Sequence, residues 1–319
     1  MKILITRHDK IGDFVLTLPM IKIVKNNFPN SFIAVLVSKV NYNFAKEIDF
    51  IDEAIVYDKN PIKLSKILKK YKFDLSISAF IDTNLGVSLF LSGIKKRVAP
   101  ATKIAQIFFN KRVLQRRSRV QKSEFEYNID LLRSIFPEIN LNFKKPVLEI
   151  PQLKKEEIFS KFKAKFGLDD KKIVAFHPGF GGSSDANLSL DEYLTLAKSI
   201  KDKNVTIVFT FGPDDEKALD FFRENLDFKA VIFKSNLSLY DFCALLSSFS
   251  LFVSTSTGTM HLAGCVDTPT FSFFGSSLFA SEKRWKTINN KQINFMLNGS
   301  KEQLKIIEKK LRGFVVDEL

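Results

Sequence analysis

The sequence predicts an α/β protein of two domains, each built as a doubly wound parallel sheet. Three observations carry that expectation. Short apolar runs rich in Ile, Val, Leu and Phe alternate with segments whose apolar residues recur at helical spacing, the signature of βαβ units. The alternation halts at an extended, proline-bearing segment, residues 147–151, and then restarts, which suits a domain junction. The chain has 319 residues, 45% of them apolar, enough for two cores with boundaries at 1–150 and 151–319.

Residues 2–6 read as the first strand, and 14–27 as a helix with Leu16, Met20, Ile23 and Val24 on its apolar side. Strands at 32–38 and 55–57, a helix at 63–70 and a strand at 75–78 continue the alternation. A polar, basic region at 95–122 precedes a helix at 124–135. In the second half, a helix at 154–166 closes on Gly167, a residue suited to a helix C-cap. Strands at 173–177, 205–211, 230–233, 251–254 and 270–274 then alternate with helices at 190–200, 214–225, 239–248, from 260, and at 301–311.

Composition excludes several functions. No apolar run approaches the ~18 residues of a membrane-spanning helix, and the apolar stretch before Arg7 is too short for a secretory signal. Cys243 and Cys265 lack metal-ligand spacing, so no disulfide framework is expected and a reducing cytoplasm is the natural setting. With three histidines, a His-rich metal site is not expected. The net charge of +14 is uneven: residues 1–150 carry +12, and ten basic residues with no acidic one lie between Lys95 and Lys122. Such a block attracts a polyanion, whether nucleic acid, an anionic membrane face or a phosphorylated glycolipid, unless it is simply a solvated loop.

Four loops follow strands, where doubly wound folds bind ligands. In the first, Arg7-His8-Asp9-Lys10-Ile11-Gly12-Asp13-Phe14, Asp13 stands at a helix start and is either an N-cap or a general base. The second, His177-Pro178-Gly179-Phe180-Gly181-Gly182-Ser183-Ser184, exposes the amides that a phosphate-binding nest needs, without being a P-loop or a dinucleotide fingerprint. The third, Phe211-Gly212-Pro213-Asp214-Asp215-Glu216, offers acids that could accept from ribose hydroxyls or cap a helix. The fourth runs from Ser254 to Gly264, where a strand ends, hydroxyls cluster and a helix begins, an anion site in which His261 is either a ligand or a packed core histidine.

Together these loops resemble glycosyltransferase family 9, the ADP-heptose:lipopolysaccharide heptosyltransferases of bacteria. The resemblance covers nearly the whole chain. It rests on Arg7-x-Asp9-x-Ile11-Gly12-Asp13-x-Val15-Leu16-Thr17-Leu18-Pro19, on His177-Pro178-Gly179 and Gly212-Pro213-x-x-Glu216, and on Ser256-Thr257-Gly258-Thr259-Met260-His261-Leu262-Ala263, followed by Pro269 and Phe273-Phe274-Gly275. It implies a GT-B fold: two Rossmann-like domains facing a central cleft, acceptor on the N-terminal side and nucleotide sugar on the C-terminal side. A terminal helix at 301–311 would return toward the N-terminal domain.

The resemblance also implies an inverting, metal-independent transfer with Asp13 as general base. Ser183, Ser184, Glu216, Ser256, Thr257, Gly258, Thr259 and His261 would bind the donor, and Arg7, Lys10, Arg116, Arg117 and Arg119 the acceptor. No cofactor is expected beyond the donor, ADP-heptose. The acceptor would be the Kdo-containing lipid A core, met by a cytoplasmic enzyme peripherally associated with the inner membrane. Ser256 stands where the family usually has an acid, and Asp185-Ala186-Asn187-Leu188 where it often shows Lys-x-Trp, so another nucleotide sugar and a capsule or protein acceptor stay open.

Two other classes compete. A nucleic-acid-binding protein using residues 95–122 would need interleaved aromatic residues, and only Phe108-Phe109 is present there. An NAD-dependent oxidoreductase is disfavoured because no dinucleotide fingerprint follows Thr6.

Overall fold

The computed structural model describes residues 1–179 and 186–319. The chain divides into two compact units, Met1–Val147 and Leu148–Leu319. The first contains β1 (Lys2–Arg7), α1 (Ile11–Val15), α2 (Leu18–Asn27), β2 (Phe32–Val37), α3 (Lys39–Lys46), β3 (Glu53–Val56), α4 (Pro61–Tyr71), β4 (Leu75–Ser78), α5 (Thr83–Leu91), β5 (Lys96–Pro100), β6 (Lys111–Val113) and α6 (Glu124–Arg133). The second contains α7 (Gln152–Phe166), β7 (Lys172–His177), α8 (Leu190–Lys198), β8 (Val205–Phe211), α9 (Glu216–Asn225), β9 (Val231–Lys234), α10 (Leu239–Leu246), β10 (Leu251–Thr255), α11 (Gly258–Cys265), β11 (Thr270–Phe274), α12 (Glu282–Trp285), β12 (Gln292–Met296) and α13 (Lys301–Glu318).

Each unit has one six-stranded parallel sheet, ordered β3-β2-β1-β4-β5-β6 in the first and β12-β11-β10-β7-β8-β9 in the second. The two orders are the same when each unit is numbered from its own first strand. Chain direction across each sheet reverses at one point, between β1 and β4 and between β7 and β10, and loops leaving those strands form the ligand crevice of such sheets. Strands read as continuous apolar runs because both sheet faces are covered; five of the six residues of β1 are buried. Leu4, Leu36, Ile55, Leu64 and Leu85 share one core, and Phe176, Phe209, Phe222, Phe271 and Phe273 anchor another.

Several elements differ from the sequence expectation, for local reasons. The single helix expected over 14–27 is two, because Pro19 has no amide to donate and so begins a new helix as an early residue of α2. Lys10, not Asp13, is the N-cap of α1. Residues 95–122, expected as a polar region, supply β5, β6 and two short 3₁₀ turns, 104–108 and 117–119. Helix α13 runs to Glu318, and its buried stripe, Ile307, Leu311, Phe314 and Val315, belongs to the core of the second unit.

Candidate active site

The N-terminal crevice is organised by a buried arginine. Arg7, the last residue of β1, is only 3% exposed, and a buried cation persists only where its charge is matched. Its Nε donates to Asp9 Oδ1 at 2.8 Å, Nη1 donates to Glu124 Oε1 at 3.0 Å, and Nη2 donates to Asp13. Burial opposes its charge, but Asp13, Asp9 and Glu124 outweigh that and hold the guanidinium more firmly protonated than usual. Expected at the acceptor, Arg7 directs its side-chain donors to Asp9, Asp13, Glu124 and the Ala79 carbonyl.

Asp13 lies in the middle of α1 with its carboxylate turned to Arg7 rather than to a helix amide, so it is not a cap. Burial pushes its pKa up; Arg7 pulls it back down, Asp9 and Glu124 push it up further, and the result is about 6. A carboxylate so poised is ionised at neutral pH yet basic enough to take a hydroxyl proton. Lys10, beside it in sequence, is exposed.

A second group at the same strand ends was not singled out in the sequence. His8 Nε2 lies 2.7 Å from Asp82 Oδ2, and the imidazole stacks on Tyr57, whose hydroxyl donates to Asp82 at 2.9 Å. Asp82 also caps α5 by accepting from Leu85 N. Burial works against its charge, but the hydrogen bonds from His8, Leu85 and Tyr57 prevail and hold the carboxyl at about 2. The available signal was an Asp one residue before a helix, which reads as a cap; its two tertiary partners, His8 and Tyr57, lie 74 and 25 residues away.

The other three arginines expected at the acceptor, Arg116, Arg117 and Arg119, part company. Arg116 and Arg119 are exposed, while Arg117 turns inward: its Nη1 donates to Glu124 Oε1 at 2.5 Å, its Nε donates to Gln115, and its guanidinium lies over the Tyr127 ring. Glu124 is buried and was not flagged by sequence, where it reads as an ordinary first-turn helix acid.

In the second unit, β7 ends at His177, whose Nδ1 donates to Thr210 O at 2.9 Å and whose Nε2 lies 3.8 Å from Asp215 Oδ2. Burial pushes His177 below its ordinary pKa, and Asp215 only partly offsets this. Asp215 accepts from Gly212 N at 2.7 Å and occupies the space beside Gly179, where a Cβ would sit 2.2 Å from Asp215 Oδ2. Ser183 and Ser184 lie outside the described residues. Glu216 is exposed and paired with Lys234.

At the end of β10, Thr257 caps α11 by accepting from Met260 N, and its hydroxyl lies 2.8 Å from that of Thr259. Ser256 and Thr257 are buried, whereas Gly258 and Thr259 stay partly exposed at the helix N-terminus, where amides and dipole favour an anion. His261 is buried edge-on to Trp285, and burial pushes its pKa down to about 4. Arg284 is buried, with its guanidinium 3.9 Å from the Phe279 ring centroid and 4.8 Å from that of Trp285. Among the described residues, no group of three or more His, Cys, Asp or Glu is placed to hold a metal ion, and no helix is long and apolar enough to cross a membrane.

The sequence model described as glycosyltransferase family 9 (heptosyltransferase) matches residues 62–312. A Haemophilus influenzae protein provisionally named a glycosyltransferase is 36% identical, covering 94% of this chain and 90% of its own length. Lipooligosaccharide heptosyltransferase 2 of Campylobacter jejuni is 21% identical, covering 93% and 88%. In three dimensions the chain resembles the E. coli ADP-heptose lipopolysaccharide heptosyltransferase II, with a TM-score of 0.81, 17% identity, and coverage of 100% of this chain and 99% of that one. That likeness gives the fold, two Rossmann-like units of the GT-B type, and the family match gives the chemistry class: the chain belongs to glycosyltransferase family 9, the heptosyltransferases, and is a glycosyltransferase.

Proposed function

We propose that this chain transfers heptose from ADP-heptose to the core of a lipopolysaccharide or lipooligosaccharide, with inversion at the anomeric carbon and without a metal ion. The observation that carries this reading is Asp13: a buried carboxylate at the crevice of the first sheet, fixed by Arg7 and raised to about 6. An acceptor hydroxyl gives its proton to such a base as its oxygen attacks the anomeric carbon. The ADP–sugar bond breaks on the opposite face, so configuration inverts.

The leaving diphosphate carries the negative charge out of the reaction. In the second unit, the amides at Gly258 and Thr259 and the Thr257 and Thr259 hydroxyls would receive that charge. The donor is ADP-heptose by likeness to the E. coli enzyme's name, and the acceptor class follows the lipooligosaccharide relative. A Kdo-bearing lipid A core on the cytoplasmic face of the inner membrane is the acceptor this reading names, and Arg116, Arg119 and Lys10 are its candidate contacts.

The test is a mass-spectrometric transfer assay with ADP-heptose and truncated core acceptors, run with and without excess EDTA. Addition of one heptose, undiminished by EDTA and absent with UDP- or GDP-sugars, supports the reading. A strict metal requirement overturns the amide account of the diphosphate site, and transfer only from another nucleotide sugar overturns the donor.

A further inference from the structure

Residues 83–123 contain ten basic side chains and no acidic one, and they fold into α5, β5, β6 and the turns at 104–108 and 117–119. The same stretch holds five of the fourteen exposed large apolar side chains among the described residues: Phe90, Leu91, Ile104, Ile107 and Leu114. Ile104 is 80% exposed and Ile107 64%. They stand three residues apart in a 3₁₀ turn, whose period of three puts them on one side.

The turn is seated firmly. Phe108 packs so closely on α5 that a Cβ on Gly86 would lie 2.7 Å from its ring, and Arg97 Nε donates to Phe108 O at 2.7 Å while its guanidinium covers Phe90. Lys103, at the start of the turn, donates to Ile81 O at 3.1 Å with its ammonium 4.0 Å from the Phe80 ring centroid, and Phe80 meets His8 edge-on. Apolar side chains are therefore held out to solvent on a fixed scaffold, with exposed Lys95, Lys96, Lys103, Lys111 and Arg112 on the same elements.

We infer that this face docks on an anionic lipid bilayer. Ile104, Ile107 and Phe90 enter the interfacial layer while the basic side chains meet lipid phosphates. Soluble proteins seldom leave apolar side chains clustered and rigid in water without a partner. A bilayer interface accepts both halves of this surface at once: apolar groups at the acyl boundary and cations among anionic headgroups. A nucleic acid would use the charge but gain little from protruding isoleucines, since single strands are held by stacking on aromatic faces. The inference draws on the glycolipid-acceptor reading only for the reason a membrane should be the partner.

The test uses the full chain and vesicles free of core glycolipid, so its outcome is separate from that of the transfer assay. Flotation with phosphatidylcholine vesicles, with and without phosphatidylglycerol, is measured for the wild type, for I104D/I107D, and for K95Q/K96Q/K111Q. The wild type is expected to float with anionic vesicles only, and both variants to lose at least tenfold in partitioning at unchanged melting temperature. A blue shift in the fluorescence of I104W on anionic vesicles would place the turn inside the interface. Equal binding by I104D/I107D and wild type overturns the proposal. So does failure of the wild type to bind anionic vesicles, including the case in which a short oligonucleotide binds instead and is lost with the lysines.

Discussion

Arg7 and Arg117 donate to the same oxygen, Glu124 Oε1, at 3.0 and 2.5 Å. That shared carboxylate links the basic stretch of the first unit to the arginine that fixes Asp13. The Asp13 carboxylate is therefore held by residues from β1, from the head of α6 and from the turn before it, rather than by its own helix.

Asp13→Asn keeps the shape and one hydrogen-bond acceptor for Arg7 but removes the proton acceptor. General-base catalysis contributes about 10²–10⁴ in rate, so kcat should fall by that factor. Donor affinity should stay within a few-fold, as measured by calorimetry with ADP. Near wild-type turnover on a true acceptor would leave Asp13 a purely structural ion-pair partner.

The pH profile reports the same group. With Asp13 at about 6, kcat/KM should rise with pH and level off above that value, because only the ionised form accepts a proton. Glu124 is one of the negative charges that raise Asp13, so Glu124→Gln should move the ascending limb to lower pH. A limb that stays in place in that variant would mean that Glu124 does not act on the base electrostatically.

Stability should depend on pH in the opposite sense to activity. A carboxyl raised from 3.8 to about 6 in the folded state binds its proton more tightly than when unfolded. The fold is therefore favoured at low pH and loses that advantage as pH rises through 6, by at most about 3 kcal/mol at 1.36 kcal/mol per unit. Asn at this position carries no such penalty. The melting temperature of Asp13→Asn relative to wild type should thus climb between pH 4 and pH 7, and a flat difference would contradict the burial argument.

Arg117 and its neighbours should separate cleanly. Arg117→Ala removes one of the two cations on buried Glu124 and should cost about 1–3 kcal/mol, read as a lower melting temperature. Arg116→Ala with Arg119→Ala should leave melting unchanged but raise acceptor KM, and that rise should shrink with salt because exposed charges are screened over about 8–10 Å. An unaltered acceptor KM at low salt would leave Arg116 and Arg119 as solvated surface.

Gly179→Ala tests the second crevice. Its Cβ would fall 2.2 Å from Asp215 Oδ2, so either the carboxylate leaves the Gly212 amide or the strand end shifts. Overpacking of this kind costs about 1–3 kcal/mol. Lower thermal stability together with weaker ADP binding is expected, and wild-type values for both would show that Asp215 can swing away freely.

The sequence by itself determined the alternation of strands and helices, the family, and the loops that carry the chemistry. Each of those is local. Ile3-Leu4-Ile5 is an apolar strand wherever it packs, Gly167 ends a helix by its own backbone freedom (φ +61°), and the four loops were legible because each follows a strand. Where local signals were mixed, the reading slipped: Pro19 split one expected helix into two, and β5 and β6 were hidden among lysines and arginines.

Tertiary structure alone decided what each side chain in those loops does. Arg7 and Glu124 lie 117 residues apart, and nothing in either neighbourhood announces that they meet. His8 and Asp82 lie 74 apart and are joined only because β1 and β4 are neighbours in the sheet. Arg117, expected at the acceptor, turns inward to Glu124, and His261, open in the sequence between ligand and core histidine, is buried edge-on to Trp285. Charge, burial and pKa depend on the surrounding dielectric and on partners brought in from distant strands. A sequence pattern encodes where a residue stands along its own strand or helix, but not what the sheet order places opposite it.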